Sequence, residues 1–320
     1  MAGAYSAMSS VAHKTENSLV RCVMKTAVQS LCTLFTSAFF TLTVLAADFE
    51  SPEILVLGDS QIPFGSGSAF FDFFSNLDKR CEGYGDSSDA LDAFKDASVG
   101  VIGVRSTSLG SWTERHGEDK NHICVRDKKW GVNAGVYGVS RFEDKKYVQI
   151  GEGEAYQFCA AGESAFETMF RDDYYDPQLL VLSFLGNSAK GWAEDVELAV
   201  SDVNDMLAQT PSDIPCVFMT TQPAYKSKTV DLRLRAQQNL QRAFETAGQR
   251  CAFVPGATES TIASHQGNTA FFRLKEDGSV KDPFHPNVEA ATRFFEDQTP
   301  AICHAVLNQL ERPGLLPIAP

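Results

Sequence analysis

The chain predicts an α/β fold: a three-layer α/β/α sandwich around a central five-stranded parallel sheet, with an inserted β-hairpin region. Two observations carry that expectation. Five short apolar runs are continuous rather than alternating, as strands buried on both faces are. Amphipathic helical stretches separate most of them, which is the alternation that parallel strands and crossover helices require. At 320 residues and 43% hydrophobic content, the chain has the apolar material for a core of that size.

The first stretch is expected to lie outside the fold. Residues 26–47 carry no charge, follow Arg21 and Lys25, and end in Ala46-Ala47. Small residues after an apolar run of this kind mark signal-peptidase cleavage, so residues 1–47 read as a signal peptide, with Met24 an alternative start. An uncleaved anchor is the rival reading, because about 20 apolar residues can span a bilayer. The many Thr and Ser residues favour cleavage, and with it no stable membrane insertion of the mature chain.

The predicted strands are residues 53–58, 98–104, 178–184, 214–220 and 250–254. Helical spacing marks 67–78, 190–208, 230–247 and 287–309, the last opening on Pro286-Asn287. Phe70, Phe71, Phe73 and Phe74 share one broad face and read as core. Residues 111–170 break the rhythm with glycine, charge and aromatics, and read as an insertion containing a hairpin. The domain is therefore expected over 48–310, with 311–320 a tail.

Charge and cysteine narrow the function classes. A net charge of −13 and no dense basic cluster argue against nucleic acid as a partner. Of eight Cys, six lie beyond the leader, an even number that suits an exported chain. The expected pairs are Cys124–Cys159 in the insertion, Cys216–Cys251 between neighbouring strands and Cys81–Cys303 between surface elements. No Cys or His spacing matches a metal set, so neither metal nor cofactor is expected.

Two short blocks carry chemistry. Leu57-Gly58-Asp59-Ser60 ends the first predicted strand in a tight turn that exposes a hydroxyl at the carboxyl edge of the sheet. Asp282-Pro283-Phe284-His285 holds a carboxylate and an imidazole three positions apart. Together they supply an alcohol, a base to take its proton and an acid to orient that base. The expected function is a serine esterase, a carboxylic ester hydrolase working through an acyl-enzyme.

On these residues the chain resembles the SGNH (GDSL-type) hydrolase superfamily, over roughly residues 53–310. Val56-Leu57-Gly58-Asp59-Ser60 is similar to the family's first block, with Gln61 where Leu is usual. Asp282-Pro283-Phe284-His285-Pro286-Asn287 is similar to its last, Asp-x-x-His-Pro-Asn. The resemblance implies Ser60 as nucleophile, His285 as general base and Asp282 as its orienting acid. It also implies an oxyanion hole from the N–H groups of Ser60 and Ser106 and the side chain of Asn187. Ser106 stands where the family has glycine, and Gly186 directly precedes Asn187 where the family has Gly-x-Asn. Arg105 and Gln61, beside these blocks, are candidate substrate contacts.

Other residues are weighed more blandly. His265 and His304 are alternative bases, His304 late in a predicted helix. His116 and His122 fall in the insertion among charged neighbours. Trp112, Trp130 and Trp192 could stack on sugar rings, with core or insertion packing expected for at least two. The leader, the lack of a long apolar lid and the polar second block together point to an exported esterase, periplasmic or secreted. It is expected to remove O-acetyl or other short acyl groups from carbohydrate. The alternatives are a polysaccharide O-acetyltransferase, a lipase or thioesterase of the same type, or a non-catalytic binding module.

Overall fold

Aliphatic runs flanked by turn residues become strands wherever both faces can be covered, and each of the five expected runs does so here. In the computed structural model the described residues are 51–85, 89–115, 137–139, 148–150, 160, 162–248 and 250–312. The expected leader, Cys124–Cys159, His116, His122, Trp130, most of 111–170 and residues 313–320 lie outside them.

The chain runs β1 (Ile54–Gly58), an irregular helical turn (Ile62–Ser66), α1 (Gly67–Phe74), α2 (Leu77–Arg80), α3 (Asp89–Asp92), β2 (Val99–Gly103) and α4 (Leu109–Thr113). β3 (Tyr137–Val139) and β4 (Val148–Ile150) then pair antiparallel. They are followed by α5 (Ala165–Phe170), β5 (Leu179–Ser183), α6 (Ala189–Glu194) and α7 (Val196–Gln209). β6 (Cys216–Met219), α8 (Ser227–Thr246), β7 (Ala252–Val254), α9 (Glu259–His265) and α10 (Val288–Leu310) complete it.

The main sheet has five strands in the order β2-β1-β5-β6-β7, every neighbouring pair parallel. Side chains alternate across it, so each strand feeds two cores. Leu55, Leu57, Leu180 and Leu182 meet Trp112, Phe166, Trp192 and Phe244 on one face. Ile54, Val56, Val99 and Val181 meet Phe70, Phe73, Phe74 and Phe295 on the other. This is the three-layer sandwich, and it explains why the strands read as continuous apolar runs. The order reverses between β1 and β5: β2 lies to one side of β1, while β5, β6 and β7 build away on the other. Open α/β sheets bind ligands at such a switch point, outside the carboxyl ends of the strands.

Some boundaries differ from expectation, for local reasons. The helix expected over 67–78 is split at Ser75-Asn76, separating α1 from α2. The one expected over 190–208 divides at Asp195, whose side chain accepts from the N–H groups of Glu197 and Leu198 and so caps α7. Within the expected insertion, Trp112 on α4 and Phe166 on α5 are fully buried, ring centroids 5.6 Å apart. Both ends of 111–170 thus belong to the core. β3 and β4 form a hairpin between them.

Two disulfides are present among the described residues, Cys81–Cys303 and Cys216–Cys251. Cys81 and Cys303 were expected on surface elements; Cys81 follows α2 and Cys303 lies on α10, and both are fully buried in the core. Trp112 and Trp192 are likewise fully buried and present no face to a sugar. No helix among the described residues is long and apolar enough to cross a membrane.

Candidate active site

β1 ends at Gly58, and the chain turns sharply over the sheet. The turn closes down on β2, where a Cβ added at Gly103 would lie 2.3 Å from the Cβ of Ile62. Only glycine admits that approach. The turn is buried: Asp59, Ser60 and Gln61 are 1%, 5% and 2% exposed.

Asp59 organises the turn. Its Oδ1 accepts from the Gln61 N–H at 2.9 Å, and its Oδ2 from the N–H groups of Leu185 at 3.2 Å and Gly186 at 2.9 Å. One carboxylate therefore locks the loop after β1 to the loop after β5. Burial pushes the Asp59 carboxyl up from its ordinary value; the N–H donors of Gln61, Leu185 and Gly186 and the charge of Arg233 pull against that rise. A Cβ at Gly186 would lie 3.1 Å from Asp59 Oδ2, so glycine is the residue that fits most easily against this carboxylate.

The second block arrives from residues 272–286, an excursion closed by the bridges Phe272↔Pro286 and Leu274↔Val280. Gly278, at φ 78°, makes its tip. The excursion meets the Ser60 turn at Gly65, where a Cβ would lie 2.4 Å from the Pro286 carbonyl oxygen. Gln61 Nε2 and Arg233 Nη2 both donate to the Phe284 carbonyl, at 3.1 and 3.2 Å.

Across this junction Ser60 Oγ lies 2.8 Å from His285 Nε2, although 225 positions separate them. His285 Nδ1 lies 2.9 Å from Asp282 Oδ2, and Asp282 Oδ1 accepts from the N–H groups of Phe284 and His285. The Asp282 carboxylate cannot donate, so Nδ1 carries the proton and Nε2 is left as an acceptor for the serine hydroxyl. Burial alone would raise the Asp282 carboxyl. The hydrogen bond and charge of His285, the Phe284 N–H and the Arg273 guanidinium outweigh it and hold the group well below the usual carboxylate range.

The remaining expected residues sit at the same edge. Ser106 is exposed at φ 60°, the left-handed conformation that glycine adopts without strain. Among the described residues the N–H groups of Ser60 and Ser106 find no acceptor within the chain. The exposed Asn187 gives one Nδ2 hydrogen to the Thr107 carbonyl at 2.8 Å, and its second has no acceptor among the described residues. Thr107 Oγ1 in turn donates to Val104 O at 2.8 Å, stiffening the turn. Gln61, expected as a substrate contact, is instead buried and ties the two blocks together. Arg105 is half-buried, its guanidinium carbon 4.6 Å from the centroid of the Phe64 ring.

Three residues at the site were not singled out from sequence. Phe64 packs against His285, ring centroids 4.4 Å apart and the planes tilted by 37°. Arg273 donates to Asp282 Oδ2 at 2.6 Å and also lies over Phe64, at 5.0 Å. Arg233, 3% exposed, is pushed below its ordinary value by burial, against the attraction of Asp59 and Asp282. Its position was signalled: Val230, Arg233, Gln237, Leu240 and Phe244 recur at helical spacing along the buried face of α8.

The alternative bases stand apart. His265 is fully buried, with Nδ1 3.0 Å from Thr261 O and Nε2 3.0 Å from Ala290 O. It is a packing residue whose burial pushes its imidazole down. His304 is exposed on α10, edge-on to Tyr84. Among the described residues no three His, Cys, Asp or Glu side chains converge as metal ligands.

No family model matches the chain, and no curated protein does. Among solved structures it is similar to a DUF4886 family protein from Bacteroides uniformis, at 14% identity and TM-score 0.41, over 85% of this chain and 88% of that one. It is also similar to an active-site mutant of a family two carbohydrate esterase from Clostridium thermocellum. There the identity is 10% and the TM-score 0.40, over 82% of this chain and 66% of the esterase, just under two thirds of it. A peptidoglycan O-acetylesterase matches at 10% identity and TM-score 0.40, over 81% and 92%. Likeness this distant bears on neither chemistry nor substrate, which are left to the residues themselves.

Proposed function

We propose that the chain is an exported serine esterase of the SGNH type, which removes acetyl or other short acyl groups from carbohydrate. The reading rests on one observation: the hydrogen-bonded series Ser60 Oγ, His285 Nε2, His285 Nδ1 and Asp282 Oδ2, at 2.8 and 2.9 Å. In this reading Ser60 Oγ attacks the ester carbonyl as its proton passes to His285 Nε2, while Asp282 stabilises the imidazolium. The carbonyl electron pair moves onto oxygen, held by the N–H groups of Ser60 and Ser106 and the free Nδ2 hydrogen of Asn187. Each such donor is worth on the order of 3 kcal/mol in the transition state.

Collapse of that intermediate expels the sugar alkoxide, which takes the proton from His285 and leaves an acyl-Ser60. Water, deprotonated by His285, attacks the acyl carbon. Collapse of the second intermediate expels the Ser60 oxygen, which takes the proton back from His285, and the carboxylic acid leaves. Paired cysteines suit an oxidising compartment, which supports export of the chain after removal of residues 1–47.

A fluorophosphonate probe should label the protein and lose its target in Ser60→Ala. Acetate release from an O-acetylated glycan should exceed hydrolysis of 4-nitrophenyl octanoate. Folded protein that takes no label would sink the esterase reading; labelled protein that prefers the octanoate would sink the carbohydrate part of it.

A further inference from the structure

We propose that Arg105 is the docking point for a carboxylate on the substrate, beside the ester that Ser60 attacks; the proposal rests on the esterase reading above. Arg105 follows β2 and directly precedes Ser106 on the turn that faces the Ser60 block. Its guanidinium packs on Phe64, and Phe64 packs on His285, so one aromatic ring separates the cation from the imidazole.

Two guanidiniums share the Phe64 ring, and their charges are treated differently. Arg273 is neutralised by Asp282 at 2.6 Å. Among the described residues Arg105 has no ion pair, and its buried Nε has no hydrogen-bond partner. This occurs in a chain with 41 acidic and only 28 basic residues, where an available carboxylate is the usual fate of an arginine. A cation partly stripped of water and left unpaired carries a desolvation cost that an incoming anion relieves. The planar fork of a guanidinium matches a carboxylate through two parallel N–H···O bonds. A phosphate monoester, with its second charge, would call for a second free cation, and Arg273 is committed to Asp282.

Elsewhere the net charge of −13 repels anionic substrates, so recognition of one depends on a local cation such as this. The carboxylate can belong to the alcohol, as in an O-acetylated uronic acid, or to the acyl group, as in a hemiester of a dicarboxylic acid. Either places an anion within a few bonds of the scissile ester.

The test compares kcat/KM for each free acid with its methyl ester, in two arms. One arm uses O-acetylated glucuronic acid and its methyl ester; the other uses 4-nitrophenyl hemisuccinate and 4-nitrophenyl methyl succinate. The full chain should prefer the free acid by about tenfold or more in one arm, as a charge-assisted pair provides, and that arm identifies the source. Arg105→Gln should bring the ratio to about one, chiefly through KM, and Arg105→Lys should retain part of it. The ratio is read from folded, active molecules only, so a loss of folded fraction leaves it unmoved. Absence of preference in both arms, or a preference unchanged in Arg105→Gln, overturns the proposal while fluorophosphonate labelling of Ser60 upholds the esterase. Absence of turnover together with absence of labelling overturns both.

Discussion

The two halves of the candidate site are held in different ways. The Ser60 turn stands at the centre of the sheet, fastened by buried Asp59 to the loop after β5. The His285 loop lies on an excursion near the surface, with Phe284 49% exposed, and depends on polar ties from Gln61, Arg233 and Arg273. The nucleophile's place is therefore set by core packing, and the base's place by side chains reaching across the chain. Changes on the first side should register as lost stability; changes on the second should register as lost chemistry.

The largest effect falls on chemistry with no loss of fold. His285→Ala should lower kcat on 4-nitrophenyl acetate by several decades, on the order of 10⁴–10⁶. Its melting temperature should stay close to that of the parent; a fall comparable with a core mutant would erase the contrast between the two halves. Next is Asp59→Asn, where an amide NH₂ or a lone carbonyl must replace an acceptor that serves three N–H groups. Unfolding in urea should show a loss of about 3 kcal/mol, since each orphaned buried N–H costs roughly 1–3.

The smallest effect belongs to Arg273→Gln. Asp282 is held below its ordinary value, so its contribution to stability is present above about pH 4 and drains away as pH falls toward the folded-state value. Removing the guanidinium lets the carboxyl rise, and the fall of stability below pH 4 should become shallower. At neutral pH the half-exposed ion pair should cost no more than about 1 kcal/mol. Thermal melts from pH 3 to 7 would show both features. An unchanged acid slope would mean that His285 and the Phe284 N–H hold Asp282 without help.

The same contrast explains what could be read from sequence. The five strands were legible because burial on both faces leaves uninterrupted apolar runs. Ser60, Asp282 and His285 stood out because each lies in a short block with a turn-forming neighbour. The polar residues that bring those blocks together were harder to see. Asp59 belongs to the Leu57–Ser60 block, yet the N–H groups that donate to its Oδ2 lie 126 and 127 positions away. Arg233 sat within a stripe of otherwise apolar or amide residues on α8, a discord that period counting could have exposed. Asp277-Gly278, a hairpin-turn signal, marked the excursion that presents Arg273 to Asp282. The helix breaks at Ser75-Asn76 and Asp195 were missed because apolar periodicity continues through them.

Cys81 and Cys303 are joined across 222 positions, making a covalent ring that contains His285 but not Ser60. A single backbone cut at any bond between those cysteines opens the ring without releasing a fragment. A protease that nicks the 116–161 stretch would leave serine and imidazole on two polypeptides that still travel as one molecule, separable on a denaturing gel only after a reductant is added.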